Sequence, residues 1–349
     1  MACIEACRGL AAIAVVLYHV ARHIDKVSGA PSLTEFFRFG HAGVDLFFVI
    51  SGFIILFVHY EVIGRPCRLK HYLERRFTRI FPIYWIALSL TLLMSVVGGH
   101  ASPGLTDFVW SALLIPSQHE PLLGVAWTLQ YEIVFYAVFA LLIFNRAAGV
   151  LVMLGWFSIV GVSYILAWKG SATAHSLLGS YNLEFFAGLT TGWWFKRHRV
   201  PLSSFVFASG LALFGLSAVL EDMGWMNGYA DIARLAYGIP AMLIVAGAAE
   251  TSRSGRVALP GILCLCGNAS YSIYLFQFVF IGFLWKTLAV TGLDRTMAPA
   301  LLFAILSFGA VGGGFLVFRS VEHPLMRFLR DAGPIMLRIR TASNIEKPI

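Results

Sequence analysis

The chain has 349 residues, of which 58% are hydrophobic and only 13% are charged, whereas soluble domains typically contain roughly 45–50% apolar and about 25% charged residues. This composition excludes a disordered chain, a coiled coil and an ordinary soluble enzyme, and it indicates an all-α, polytopic membrane protein. The formal net charge of +8 would also suit a nucleic-acid-binding protein, so the positions of the basic residues must decide between the two.

Ten stretches satisfy the length of a membrane-crossing helix, which is roughly 20 mainly apolar residues. We predict them near residues 9–24, 40–59, 80–98, 126–144, 147–168, 179–195, 203–220, 232–249, 262–285 and 297–318. The sixth stretch is the shortest. The segment from Asp107 to Ile115 is too short to cross and is typical of an interfacial helix. We therefore expect one integral membrane domain over residues 1–330 and a short cytoplasmic tail over 331–349.

An even number of crossings places both termini on one side of the membrane. Most Lys and Arg residues then lie in the segments on that side, which the positive-inside rule identifies as the cytoplasm. The basic excess is thus explained by an N-in, C-in topology, and nucleic acid is not expected as a partner. The five cysteines also lie on that side, where disulfides are rare, and their spacing predicts no metal site.

Ionisable residues inside a membrane are costly and are therefore functional candidates. Arg8 and His19 are eleven residues apart, about three whole helical turns, so both face the same way and stand roughly 16 Å apart along the axis. Arg8 would lie near the inner surface and His19 in the outer half. The alternative is a snorkelling arginine and an interfacial histidine without a catalytic role.

Three carboxylates enter from the predicted outer surface. Asp45 would lie close to the depth of His19 and could fix the tautomer of its imidazole. Glu132 would lie at a similar depth, and Glu184 could extend the same polar cavity. Ser51, deeper on the second stretch, is either a nucleophile or part of a small Ser-Gly step that allows close helix packing.

The remaining acceptor-pocket candidates are aromatic or amide side chains near the same region. Trp127 could equally belong to an aromatic belt at the membrane surface. The ninth stretch brings Tyr274 and Gln277 towards the polar cavity.

Arginines gather at the opposite, inner surface. Arg75, Arg76 and Arg79 precede the third crossing helix, and guanidinium groups at this spacing can bind phosphate oxygens in pairs. Glu322, after the last stretch, could orient them. The alternative is that these arginines only set the topology and bind anionic lipid.

A His-carboxylate group facing outward and an arginine cluster facing inward suit a reaction that joins a cytoplasmic phosphate-bearing donor to an acceptor reached from outside. The same spacing would fit a proton-coupled glycan or lipid transporter that uses Asp45, Glu132 and Glu184 as a relay.

The polar residues described above belong to motifs that follow one another over residues 8–324: Arg8-Gly9 with His19, Gly43-Val44-Asp45-x-Phe47-Phe48-Val49-Ile50-Ser51-Gly52-Phe53, Arg75-Arg76-x-x-Arg79-Ile80-x-Pro82-x-Tyr84-Trp85, Trp127-x-Leu129-x-x-Glu132-x-x-Phe135-Tyr136, Ser270-Tyr271-Ser272-x-Tyr274-Leu275 and Glu322-x-Pro324. In this order the motifs resemble those of the membrane acyltransferase type 3 family. The motif that begins at Trp127 most resembles the exopolysaccharide acetyltransferase branch.

This resemblance implies transfer of an acyl group, usually acetyl, from acyl-coenzyme A to a hydroxyl of a carbohydrate or glycolipid in the bacterial inner membrane, with no bound cofactor. It implies that His19 is the essential base or acyl-relay residue, that Arg8 is its paired arginine, and that Arg76 and Arg79 handle the donor. The chain departs from the family pattern at Glu5 and Cys7. It also has Gln277 where a histidine is frequent, which removes acid-base chemistry from that position.

Overall fold

The fold is an all-helical bundle, seen in a computed structural model that describes residues 1–29, 33–99, 103–116, 120–166, 176–255 and 260–331. Within these ranges no strand occurs. The predicted tail over 331–349 lies outside the described residues, apart from Asp331. The helices are α1 Ala2–Ser28, α2 Leu33–Phe37, α3 Gly43–His59, α4 Leu69–Val97, α5 Leu105–Ala112, α6 Trp127–Phe144, α7 Arg146–Ile165, α8 Tyr181–Arg197, α9 Ser203–Asp222, α10 Ala233–Ser254, α11 Gly261–Val290 and α12 Pro299–Val317, with a π turn at Phe318–Glu322 after α12.

Nine helices in the described part of the chain are long and apolar enough to cross a membrane, judged by length and composition. They correspond to nine of the ten predicted stretches, so the prediction of a polytopic helical bundle is confirmed. The remaining stretch, the predicted sixth, corresponds to α8, which has 17 residues. This length is at the lower limit for a crossing helix. The predicted interfacial segment is α5, and two side chains of α4 hold it: Tyr84 donates a hydrogen bond to the Ser111 carbonyl at 2.6 Å and Trp85 to that of Ala112 at 2.8 Å.

Contacts between chain segments place alternate helix ends together, as a multi-pass topology requires. The amide of Gly64 after α3 donates to the Leu142 carbonyl near the end of α6 at 2.9 Å. The amide of Cys3 at the start of α1 donates to the Ser252 hydroxyl at the end of α10 at 3.1 Å. We call this end of the bundle the basic end; it contains residues 1–5, 60–68, 145–146, 197–202 and 250–255.

Glycines allow two helix pairs to cross at very short range. A Cβ added to Gly52 on α3 would overlap the carbonyl oxygen of Phe185 on α8, and one added to Gly188 would overlap that of Val49. Close packing of this kind is a main source of stability between membrane helices. The Ser-Gly step therefore serves close packing at Gly52.

A second close crossing sets the register between α1 and α11. A Cβ on Gly9 would lie 2.7 Å from the amide nitrogen of Gly267. Further along the same pair, the ring of His19 contacts that of Phe278. The two helices thus run in parallel from the basic end, and they bring the predicted catalytic helix against the Ser270-Tyr271 motif.

Candidate active site

A cavity of about 70 Å³ lies between five helices of the bundle. Its charged lining consists of Arg8 on α1, Arg79 on α4 and Glu132 on α6. The other lining residues are mainly hydroxyl-bearing or apolar: Val44, Phe47, Phe48 and Ser51 on α3, Ile80 on α4, Thr128 and Leu129 on α6, and Ser270, Tyr271 and Tyr274 on α11. Five of the predicted site residues therefore meet here although they come from distant parts of the sequence: Arg8, Ser51, Arg79, Glu132 and Tyr274.

Two guanidinium groups face two carboxylates around this cavity. Arg8 interacts electrostatically with Arg79, Glu132 and Glu322. Glu322 is buried and accepts a hydrogen bond from the Ser272 hydroxyl at 2.5 Å. The carboxylates offset the repulsion between the guanidiniums, and Arg8 and Arg79 together can bind an anionic ligand. Glu322 thus interacts electrostatically with Arg79 and Arg8, and not with Arg75 or Arg76.

The depth predicted for Glu132 is wrong. The sequence grouped this carboxylate with His19 and Asp45 near the outer surface, whereas it lines the cavity with Arg8 and Arg79 and accepts a hydrogen bond from Tyr136. The reason lies in the packing before α6: Gly124 lies against Phe278, the ring that contacts His19. Glu132 is eight residues further along and therefore lies about 12 Å deeper in the bundle than His19.

The three predicted donor arginines do not converge on one point. Arg79 lines the cavity, whereas the Arg76 Nη2 lies 2.7 Å from Nε2 of His59 and its guanidinium stands 5.1 Å from the centre of the Tyr136 ring. Arg75 is exposed at the surface. Residues 75, 76 and 79 cannot all share one helix face, since neighbouring residues diverge by about 100°.

His19 lies just beyond the inner part of this site. Its ring packs edge-on against Phe278 with 4.7 Å between centroids. Phe278 is four residues, or about 6 Å, beyond the cavity-lining Tyr274 on α11. Arg8 and His19 therefore both face α11, as their spacing predicts, and His19 stands about one helical turn past the inner cavity.

Asp45 does not pair with His19 as predicted; it forms an ion pair with Arg234 on α10. The packing of this segment against α1 shows the cause. Gly40 lies against Ala14, whereas Gly43, three residues further along, lies against Ala11. Going into the bundle along α3 means going back along α1, so Asp45 lies well below the level of His19. The predicted depth of Asp45 is counted from Gly40, which the structure shows to be buried.

A buried cluster of opposite charges forms around Arg234; we call Asp45, Glu184 and Arg234 the ion cluster. Glu184 Oε1 lies 4.0 Å from Arg234 Nη1, and the guanidinium stands 4.3 Å from the centre of the Tyr181 ring. Each member is at most 2% exposed. Arg234 lies at the start of an apolar stretch, and this position is the signal in the sequence that it could be buried.

The predicted acceptor-pocket residues separate into three places. Ser51 and Tyr274 line the cavity, and the Tyr274 hydroxyl is 3.0 Å from that of Thr128. Trp127 packs at 5.1 Å, between ring centroids, on the ring of Tyr181. Gln277 is fully buried and donates to the Tyr274 carbonyl at 2.8 Å. Glu184 belongs to the ion cluster.

Two unpaired polar atoms lie close to the cavity. Among the residues that the structure describes, neither the Ser270 hydroxyl nor Oε1 of Gln277 has a hydrogen-bond partner, although both atoms are buried. Buried polar groups are normally satisfied, so these atoms can accept or donate a hydrogen bond to a bound substrate. Sequence reasoning placed Ser270 in a motif but gave it no role.

Comparison with known proteins shows the family of the chain. A family model described as an acyltransferase domain matches residues 1–319. The chain therefore belongs to this acyltransferase family, and the protein is a membrane-type acyltransferase. It is also 33% identical over 310 residues to the exopolysaccharide production protein ExoZ of Rhizobium meliloti (strain 1021), an alignment that spans 83% of this chain and 91% of that protein. No solved structure matches the chain.

Proposed function

We propose that this acyltransferase moves an acyl group, in the first instance acetyl, from acyl-coenzyme A at the cytoplasmic face to a hydroxyl of an exported carbohydrate. The observation that carries the proposal is the cavity that has Arg8 and Arg79 in its wall and His19 one helical turn beyond it. The similarity to ExoZ supports an exopolysaccharide or its lipid-linked precursor as the acceptor. The bacterial inner membrane is the proposed location.

The donor enters from the basic end in this proposal. Arg79, which is exposed on α4 and lines the cavity, binds phosphate oxygens of coenzyme A, as guanidinium groups do in bidentate fashion. Arg75 lies on the approach and attracts the donor by charge. The narrow pantetheine arm passes Ser51 and Tyr274, and Arg8 donates hydrogen bonds to its carbonyl oxygens.

The chemical step takes place at His19. The neutral imidazole accepts the proton of the acceptor hydroxyl while the hydroxyl oxygen attacks the thioester carbon. The tetrahedral intermediate collapses with cleavage of the carbon–sulfur bond, and the electron pair leaves on sulfur. The imidazolium returns the proton to the thiolate, which gives free coenzyme A and the carbohydrate ester. General-base catalysis of this kind contributes about 10²–10⁴-fold.

The acceptor reaches His19 from the end opposite the donor. Gln277 and Tyr274 lie on α11 within one turn of Phe278, and the free Oε1 of Gln277 can accept a hydrogen bond from a sugar hydroxyl. Glu132 and Glu322 act on the donor side, where they balance Arg8 and Arg79. Asp45 and Glu184, in the ion cluster, hold the surrounding helices in position.

The experiment is mass analysis of surface polysaccharide from a strain that lacks the gene. We expect the polysaccharide to be exported in normal amount without its ester groups, and the wild-type gene to restore them. Loss of export with normal ester content on the remaining polymer would contradict the proposal and favour a transporter.

A further inference from the structure

A second cavity, outside the candidate active site, opens on the side of the bundle. It has a volume of about 550 Å³ and lies between the end of α3, the loop that follows it, α6, α7 and α8. Its apolar wall includes Val150, Leu154 and Phe157 of α7, which are 41%, 58% and 44% exposed. We call it the basic groove because three arginines line one end of it.

The three arginines come from separate segments of the chain. Arg65 follows α3, Arg146 begins α7 and Arg197 ends α8, so all three lie at the basic end of the bundle. None of them forms an ion pair within the part of the chain that the structure describes. Glu61 also lines the groove, so the charge there is that of three guanidiniums against one carboxylate.

Aromatic rings hold one of these arginines in place. The guanidinium of Arg197 stands 4.2 Å from the centre of the Trp193 ring and 5.5 Å from that of Tyr60. Cation–π contacts fix the side chain without neutralising its charge. Tryptophan and tyrosine are also the residues that accumulate at the headgroup level of a membrane. The charged end of the groove is therefore built at the height where lipid phosphates lie.

The length of the groove matches one leaflet of a bilayer. From Arg146 to Phe157 the α7 axis rises by about 16 Å, which is roughly half of the ~30 Å hydrocarbon core. A phospholipid of the inner leaflet has this form, with a phosphate at one end and acyl chains that reach only to the bilayer centre. A long polyprenyl chain would extend well beyond the apolar wall.

We propose that the basic groove is a specific binding site for an anionic phospholipid of the inner leaflet. Arg65, Arg146 and Arg197 bind its phosphate and acidic headgroup, and the acyl chains lie on Val150, Leu154 and Phe157. The site is distinct from the active site, since the two cavities have no lining residue in common.

In the test, the purified full-length protein in a neutral detergent is titrated separately with phosphatidylglycerol and with phosphatidylcholine. Native mass spectrometry counts the lipid molecules bound to each protein. We expect one phosphatidylglycerol to bind at least tenfold more tightly than phosphatidylcholine. The double variant Arg146→Gln/Arg197→Gln should weaken phosphatidylglycerol binding about 25-fold, or about fivefold for each arginine, since one basic residue near a membrane surface contributes about 1 kcal/mol.

A matched control separates this site from a general effect of surface charge. Arg68→Gln/Arg327→Gln removes the same charge from exposed arginines that do not line the groove, and it should leave the affinity within twofold of wild type. Arg146→Lys/Arg197→Lys keeps the charge and should bind within about threefold of wild type, which shows that the groove is folded. Equal losses in the two glutamine pairs, equal affinity for both phospholipids, or tighter binding of a polyprenyl phosphate would each overturn the proposal.

Discussion

Asp45 on α3 and Arg234 on α10 form an ion pair in which the two side chains are 0% and 2% exposed. The same guanidinium donates a hydrogen bond to the carbonyl of Gly228, and Glu184 completes the ion cluster. Three helices are thus tied together by charge in the buried interior of the bundle. Such a cluster stabilises the fold only while it is complete, because each member depends on the others for compensation.

Arg234→Gln should destabilise the protein strongly, since it leaves two buried carboxylates without a cation. We expect a loss of about 3–5 kcal/mol in the free energy of unfolding, measured by titration with a denaturing detergent. Asp45→Asn combined with Arg234→Gln should cost clearly less than the sum of the two single changes. Additive losses would show that the two side chains do not interact.

Arg79→Gln should raise the KM for acyl-coenzyme A, because Arg79 lines the cavity and Arg75 does not. Loss of one hydrogen bond between charged groups is worth about 1.5–3 kcal/mol, so we expect an increase of tenfold or more. The neighbouring variant Arg75→Gln provides the control, and we expect its KM to change by less than threefold. Both values are measured from the rate of acetyl transfer by membrane vesicles that contain the protein. If the two variants raised KM equally, the arginines would act by general attraction rather than by contact.

Two substitutions of Ser51 distinguish a role as a nucleophile from a role in shaping the cavity. Its side chain lines the cavity on α3, but no described histidine is hydrogen-bonded to it. Ser51→Ala should retain at least half of the transfer rate, whereas Ser51→Phe should fill the cavity and lower the rate by a hundredfold or more. A rate for Ser51→Ala as low as that of Ser51→Phe would instead identify a nucleophile.

Gly52 should tolerate no larger side chain, since its Cβ would overlap the Phe185 carbonyl of α8. Gly52→Ala is expected to reduce the amount of folded protein in the membrane several-fold, as measured by fluorescence size-exclusion chromatography. Gly155 offers a matched control on α7, because a Cβ there would meet nothing within 4 Å. Gly155→Ala should be neutral or stabilising by up to about 1 kcal/mol; equal yields of both variants would mean that α3 and α8 can separate at little cost.

The helices could be predicted from the sequence because apolar runs of membrane length have few alternative structures. The relative face of Arg8 and His19 could also be predicted, since it depends on helical geometry alone. The depth of a residue could not. The levels of Glu132 and Asp45 relative to His19 depend on how their segments pack against α11 and α1, and a count of residues from a predicted surface does not contain this packing.

The pairing of side chains across the bundle also could not be predicted from the sequence. Nothing local to Asp45 indicates that its cation is Arg234, which is 189 residues away. Likewise, Arg76 and Arg79 look equivalent in the sequence, and it is the positions of His59 at the end of α3 and of the Tyr136 ring that direct Arg76 away from the cavity. Such pairings are set by helix rotation and crossing, which hydropathy does not encode.

The most direct test of the proposed function is transfer of labelled acetyl groups from acetyl-coenzyme A to exported carbohydrate by membrane vesicles that contain wild-type protein or His19→Gln. The ring of His19 contacts Phe278 at the far side of the cavity, so glutamine should preserve the packing and the protein level while removing the base. We predict that the transfer rate falls by at least a hundredfold, in line with the general-base contribution. Transfer by His19→Gln at close to the wild-type rate would contradict the central role given to this histidine.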